Sequence, residues 1–276
     1  MSIYYPEQTI GEVTPYPYTI DLTTPSSGTA MNVTLVNAYQ GLSTAKRVNG
    51  LHYIRDVYGT PLQTGIYLDQ VYDVGRMEEV VFSPEYWAES GLPGSPNAAS
   101  VAAYTQGDNG SVGIVIARND WEVLNGVTID RYATGIKFIG TSGLSNGSIY
   151  NLTVKGARTG VDAEAVSPYG WLISASSIEA TAGPDPVAVL APTGFANASL
   201  QFNKTTLSGT GVAVRQLGDG LLSFVNGSFD SWNAAGCAID AQEGSLLVQG
   251  SEFAACCRRS LQAYLPGQRG IVRKLA

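Results

Sequence analysis

The sequence predicts an all-β chain wound as a right-handed parallel β-helix, and three observations carry that prediction. The first is a short phrase that returns about every 24 residues: a small residue, a glycine and two spaced apolar residues. It reads Gln40-Gly41-Leu42, Thr64-Gly65-Ile66-Tyr67-Leu68, Val112-Gly113-Ile114-Val115-Ile116, Thr134-Gly135-Ile136-Lys137-Phe138, Thr159-Gly160-Val161, Thr210-Gly211-Val212 and Ala235-Gly236-Cys237. The glycines are 24, 48, 22, 25, 51 and 25 residues apart, so each long gap reads as a doubled period, and Pro186-Val187-Ala188-Val189 fills the second. A fixed period in this range marks a solenoid. The second observation is an apolar stretch between the phrases, opened by a polar turn, as in Asn125-Gly126-Val127-Thr128-Ile129, Asn203-Lys204-Thr205-Thr206-Leu207 and Asn226-Gly227-Ser228-Phe229. Each coil therefore holds two or three short strands joined by residues that tolerate positive φ. The third is that helical spacing at i, i+3, i+4 and i+7 is not sustained over any window of about 12 residues.

About eleven coils, stacked about 4.8 Å apart, account for the length. The unbroken repeat argues for one domain over residues 1–276. Ile3-Tyr4-Tyr5 already reads as a strand, and Gly270-Ile271-Val272-Arg273 reads as another at the far end. The chain thus enters and leaves in mid-coil, which predicts either a fragment of a longer solenoid lacking end caps or a homo-oligomer formed through uncapped ends. One interruption stands out. Phe82 to Asn97 falls where a glycine phrase is missing and reads as a loop inserted into the solenoid, either the wall of a saccharide cleft with Trp87 as platform or a loop that packs its own aromatics on the coil.

Composition agrees with stacked β-structure: 44% hydrophobic residues, 32 glycines and 14% charged residues. The net charge of −7 excludes a nucleic-acid groove, which needs clustered Lys and Arg. Basic residues gather only near the end, at Arg258, Arg259, Arg269, Arg273 and Lys274, and read as a solvated edge. No apolar run is long enough to span a membrane, and the first residues lack the basic and apolar regions of a signal peptide. Cys237, Cys256 and Cys257 form no metal-binding pattern, so no metal and no cofactor are expected; Cys237 reads as a buried stacking residue.

Several segments resemble a known family. Tyr4-Tyr5-Pro6-Glu7-Gln8, Pro15-Tyr16-Pro17-Tyr18-Thr19-Ile20 and Val33 to Gly41, followed by His52 to Leu62 and Tyr72-Asp73-Val74-Gly75-Arg76-Met77-Glu78-Glu79-Val80, are similar to an internal stretch of bacterial and fungal proteins of the pectate-lyase-like β-helix superfamily related to glycoside hydrolase family 28. The likeness is specific over residues 4–88 and coil-level afterwards. It implies an extracellular role in breaking down polysaccharides, by hydrolysis or by lysis. Fold alone does not carry an activity, so the site has to come from side chains.

Glycoside hydrolysis needs two carboxylates about 5 to 9.5 Å apart, one to protonate the leaving oxygen and one to activate water or attack the sugar. Residues one period apart stack, and residues i and i+2 share a face, so both spacings supply pairs. The densest acidic stretch runs from Asp56 to Glu89 and is rich in tyrosine. Within it Asp69 and Asp73, just past an apolar strand, are the leading acid and base pair of a groove on the β-helix, and Glu78 is the alternative partner. Turn capping is the competing role for both aspartates. Arg55, Tyr67, Tyr72, Arg76, Tyr86 and Trp87 are the candidate substrate contacts.

Arg55 and Glu79, 24 residues apart, are expected to stack as an ion pair, although in a lyase such an arginine would serve a uronate. His52, the only histidine, is expected to be packed or hydrogen-bonded. Asp120-Trp121 and Asp230-Ser231-Trp232 read as turns; Asp162 and Glu164 share a face but lack an aromatic neighbour. The leading expectation is a glycoside hydrolase acting on polysaccharide. The alternatives are a non-catalytic carbohydrate-binding or structural β-helix, and a uronate lyase, which would call for Ca²⁺ or a basic catalytic side chain.

Overall fold

The structure, a computed structural model, describes residues 1–23, 26–233 and 236–254. Cys256, Cys257, the basic residues from Arg258 onward and the expected strand at Gly270–Arg273 lie outside the described residues. The chain forms a parallel β-solenoid of about ten turns of about 24 residues. Two sheets run its length. The wide sheet takes Ser2–Ile3, Ser27–Leu35, Leu51–Gly59, Gly75–Phe82, Glu122–Asp130 and Gly147–Ala157 in order; later coils give it two shorter strands each, beginning with Trp171–Ser174 and Ser177–Ala180. The narrow sheet takes Tyr18–Asp21, Gln40–Ser43, Thr64–Leu68, Val112–Ile116, Thr134–Phe138 and Thr159–Ala163, and continues through Val187–Ala191 and Val212–Gln216 to Ile239–Ala241.

Side chains that alternate inward fill the interior in stacks. Leu42, Ile66, Ile114, Ile136, Val161, Val189 and Val214 occupy one register position of the narrow sheet, and all but the ends of the solenoid's core are closed to solvent there. Each such side chain stabilises the fold by about 1.5 to 3 kcal/mol on burial.

The glycine phrase has a steric cause. Gly41, Gly65, Gly113, Gly135 and Gly160 stack one above the next, and a Cβ on Gly65 would stand 2.3 Å from the Gly113 carbonyl oxygen and 2.3 Å from the Phe82 ring. Gly65→Ala is therefore expected to cost about 2 to 3 kcal/mol in urea unfolding, because the obstacle is backbone in the next coil. Past Gly160 the column continues as Ala188, Ala213 and Ala238, so Gly211 and Gly236 lie two residues ahead of it.

A second column turns the wide sheet through a corner. Asn32, Asp56, Glu79, Gly126, Asn151, Ala175, Lys204, Asn226 and Gly250 are in register in nine successive coils, and all have φ between 49° and 68°. Asn and Gly suit this left-handed geometry best, which explains the recurrent polar turns in the sequence. The corner also corrects the expected Arg55–Glu79 stack: Arg55 faces Glu78 across the coils, and Glu79 faces Asp56.

The 48-residue gap is not two coils. Thr64 pairs directly with Val112, so residues 83–111 are an insertion into a single coil, which brings the count to about ten rather than eleven. The insertion carries helices α1 (Glu85–Ala88) and α2 (Ala98–Thr105), the latter capped by Asn97, whose side chain accepts from the Ser100 N–H at 2.8 Å. Trp87, Val101, Leu62 and Val36 form a small apolar cluster beneath it. Among the described residues no helix is long and apolar enough to cross a membrane.

Candidate active face

The residues expected to form the site fall in separate places. Asp69 directly follows the narrow-sheet strand Thr64–Leu68 but does not turn to solvent; it is 2% exposed. Its carboxylate accepts from the backbone N–H groups of Gln70 (2.8 Å) and Arg118 (3.1 Å), from the Tyr67 hydroxyl (3.1 Å) and from the Ser142 hydroxyl (2.8 Å). Four donors from three coils make it a stitch between turns. Asp73 is exposed, and its Oδ1 accepts from the Val74 N–H at 2.8 Å. Glu78 lies on the outer face of the wide sheet, where it accepts from the Tyr53 hydroxyl at 2.8 Å and faces Arg55. Asp69 and Glu78 thus belong to different sheets.

Arg55 and Arg76 share that outer face with Glu78, both exposed, and Arg55 Nε also reaches Asp56 at 3.3 Å. Tyr72 is exposed, with the Arg118 guanidinium 3.9 Å above its ring. Tyr86 in α1 stacks on Tyr58 at 5.9 Å. Trp87 is fully buried, its backbone N–H donating to the Thr60 hydroxyl at 3.0 Å, so it anchors the insertion and presents no platform. His52 is buried as well and meets Glu122 at 3.0 Å, a partner 70 residues away.

Tyr67 alone leads to a second constellation. The outward column of the narrow sheet runs Ser43, Tyr67, Val115, Lys137, Asp162, Leu190, Arg215 and Asp240. In its middle the Lys137 ammonium stands 3.5 Å from Asp162 and 2.5 Å from Glu164. Both carboxylates therefore touch one cation, and those two oxygens are at most about 6 Å apart. Their surroundings differ. Asp162 is 8% exposed with a buried Oδ1 that lacks a partner, whereas Glu164 keeps 45% of its side chain in solvent. No family model, curated protein or solved structure matches this chain.

Burial pushes the Asp162 carboxyl up to about 6; the Lys137 ammonium opposes that shift and the Glu164 charge adds to it. Lys137 is raised too, but by its partners and not by burial. Burial alone would lower it, but the Glu164 hydrogen bond and the two carboxylate charges raise it above an ordinary lysine, so it stays charged. The face thus holds a carboxyl that keeps its proton up to about pH 6 beside one open to solvent, the division that acid and base catalysis by paired carboxylates requires. The sequence contained a signal for the trio: Lys137 and Asp162 are 25 residues apart, one period, and Asp162 and Glu164 are two apart. No aromatic neighbour marks Asp162 and Glu164 in the sequence, unlike the acidic stretch from Asp56 to Glu89.

Proposed function

We propose that the protein hydrolyses polysaccharide on the outer face of the narrow sheet, with Asp162 as general acid and Glu164 as the carboxylate that attacks the sugar. The observation that carries this reading is the pair itself: a buried carboxyl whose pKa is pushed to about 6 and an exposed carboxylate, both held by Lys137. Two carboxylates that share one ammonium are close enough to flank a single glycosidic bond. A lyase reading fits less well, since Lys137 is held charged and cannot take a proton from a uronate. The likeness of residues 4–88 to the pectate-lyase-like β-helix proteins related to glycoside hydrolase family 28 supports the substrate class.

Reducing-sugar release from a panel of plant and microbial polysaccharides tests the assignment. Wild type is expected to release sugar from at least one of them, and Glu164→Gln to lose about a thousandfold in rate with its circular dichroism spectrum intact. Equal rates in wild type and Glu164→Gln would remove Glu164 from the chemistry.

A further inference from the structure

Five successive turns leading from the narrow sheet to the wide sheet each present large apolar surface to solvent: Val48, Tyr72 with Val74 beside it, Trp121, Leu144 and Tyr169, the named five at 52, 44, 61, 43 and 80% exposure. Exposed apolar residues scattered singly are ordinary, but a row along one edge marks a binding surface. Three of the five are aromatic. Trp121 is held in the left-handed region at φ 60°, unfavourable for a bulky residue, with its N–H bonded to Asn146 Oδ1 at 3.1 Å. Backbone strain that keeps a tryptophan in water calls for a ligand as its reason.

We infer that this row binds an extended, uncharged, β-linked glycan running along the solenoid axis, with one sugar over each coil. Coils rise about 4.8 Å, close to the rise of one pyranose in an extended β-linked chain, so the rings of Tyr72 and Trp121 on neighbouring turns, and of Tyr169 two turns further on, are spaced along the axis by whole sugars. From Tyr72 to Tyr169 the row covers three coil steps, about 14 Å. Electrostatics points to a neutral occupant: the cation nearest the rings, Arg118, stacks on Tyr72 and is matched by Asp120 at 3.2 Å, while Asp73 is engaged with the backbone of Val74. Arg118 and Asp120 retain edges to meet hydroxyl groups beside the stacked faces. The row also reaches the catalytic face, because Tyr169 sits on the turn that begins at Glu164. It rests on the hydrolase reading for its purpose, holding a polymer next to Asp162, but not for its chemistry.

The test is retention of the full chain on phosphoric-acid-swollen cellulose and in gels cast with barley β-glucan, with polygalacturonate as the charged probe. Wild type is expected to be retained by at least one neutral glycan and not by polygalacturonate. Trp121→Ala and Tyr169→Ala are each expected to weaken retention about tenfold. Tyr150→Ala removes an equally exposed ring from the outer face of the wide sheet and is expected to change nothing. The inference is overturned if wild type is not retained by either neutral glycan, or if Trp121→Ala and Tyr150→Ala behave alike. It is equally overturned if Trp121→Ala instead dissolves a dimer of the wild-type chain, which would make the row a contact between copies. The two readings fail separately: retention that depends on Trp121 without sugar release removes the hydrolase and keeps the row, and release with unaltered retention in Trp121→Ala does the reverse.

Discussion

Asp162→Asn is expected to lower kcat on unactivated polysaccharide about a thousandfold and to erase the alkaline limb of the pH profile. The wild-type carboxyl, with its pKa pushed to about 6, donates a proton to the leaving oxygen below that pH and loses the ability above it. An aryl glycoside whose phenolate leaves without protonation should be spared most of the loss, because it does not need the acid. The same substitution has a signature in stability. A folded-state pKa raised above the unfolded value means that Asp162 favours folding below about pH 4, where it is protonated in both states, and that this advantage is lost as pH rises through about 6. Between pH 4 and pH 8 wild type should lose about 2 kcal/mol from this group relative to Asp162→Asn, which stays neutral throughout. Urea unfolding of both proteins at the two pH values measures the difference. Identical pH dependence in the two would show that Asp162 titrates as an ordinary surface carboxylate, and the acid role would fall with it.

Such a group could be foreseen as a neighbour but not as an acid. Periodicity places Lys137, Asp162 and Glu164 on one surface, since a period of about 25 stacks residues and a step of two keeps a face. What raises Asp162 is the depth at which its Oδ1 lies, and that depends on side chains from other coils. Asp69 shows the converse. Its position just past an apolar strand is the place where a chain leaves the core, yet the Ser142 hydroxyl and the Arg118 N–H, from two different coils, reach in and enclose it. Trp87 repeats the lesson on a larger scale: an inserted segment rich in aromatics reads either as a binding wall or as a loop packed on the coil, and Trp87 takes the second course, against Val36 and Leu62.

The repeat itself was legible because its cause is local. A glycine whose Cβ would strike the next coil's carbonyl has to be glycine, and that requirement recurs with the coil. The corner column was legible only in part. Asn32, Asp56, Gly126, Asn151, Asn226 and Gly250 advertise the left-handed turn, whereas Glu79, Ala175 and Lys204 adopt the same φ without the preference and conceal the register. That concealment is why Arg55 was matched with Glu79 instead of Glu78. The insertion was located, but its extent, residues 83–111, depends on the pairing of Thr64 with Val112, which no spacing rule distinguishes from a doubled period.

Glu122→Ala is expected to cost about 3 kcal/mol in urea unfolding, a large share of a domain's stability. The Glu122 side chain lies wholly inside the solenoid and crosses an intervening coil to meet His52. Gly75 makes the crossing possible: it occupies the register position between them, and a Cβ there would stand 1.8 Å from Glu122 Oε2 and 2.3 Å from His52 Cε1. Removing the carboxylate leaves the imidazole buried without a partner and opens a void beside glycine, so desolvation and lost packing add. Glu122→Gln preserves shape and one hydrogen bond and should cost less than half as much. The double substitution His52→Leu with Glu122→Leu should recover most of the loss, since two apolar groups strand no polar atom. If Glu122→Ala costs under about 1 kcal/mol, the pair is not the buried polar link that joins three coils at this corner, and Gly75→Ala should then be tolerated too.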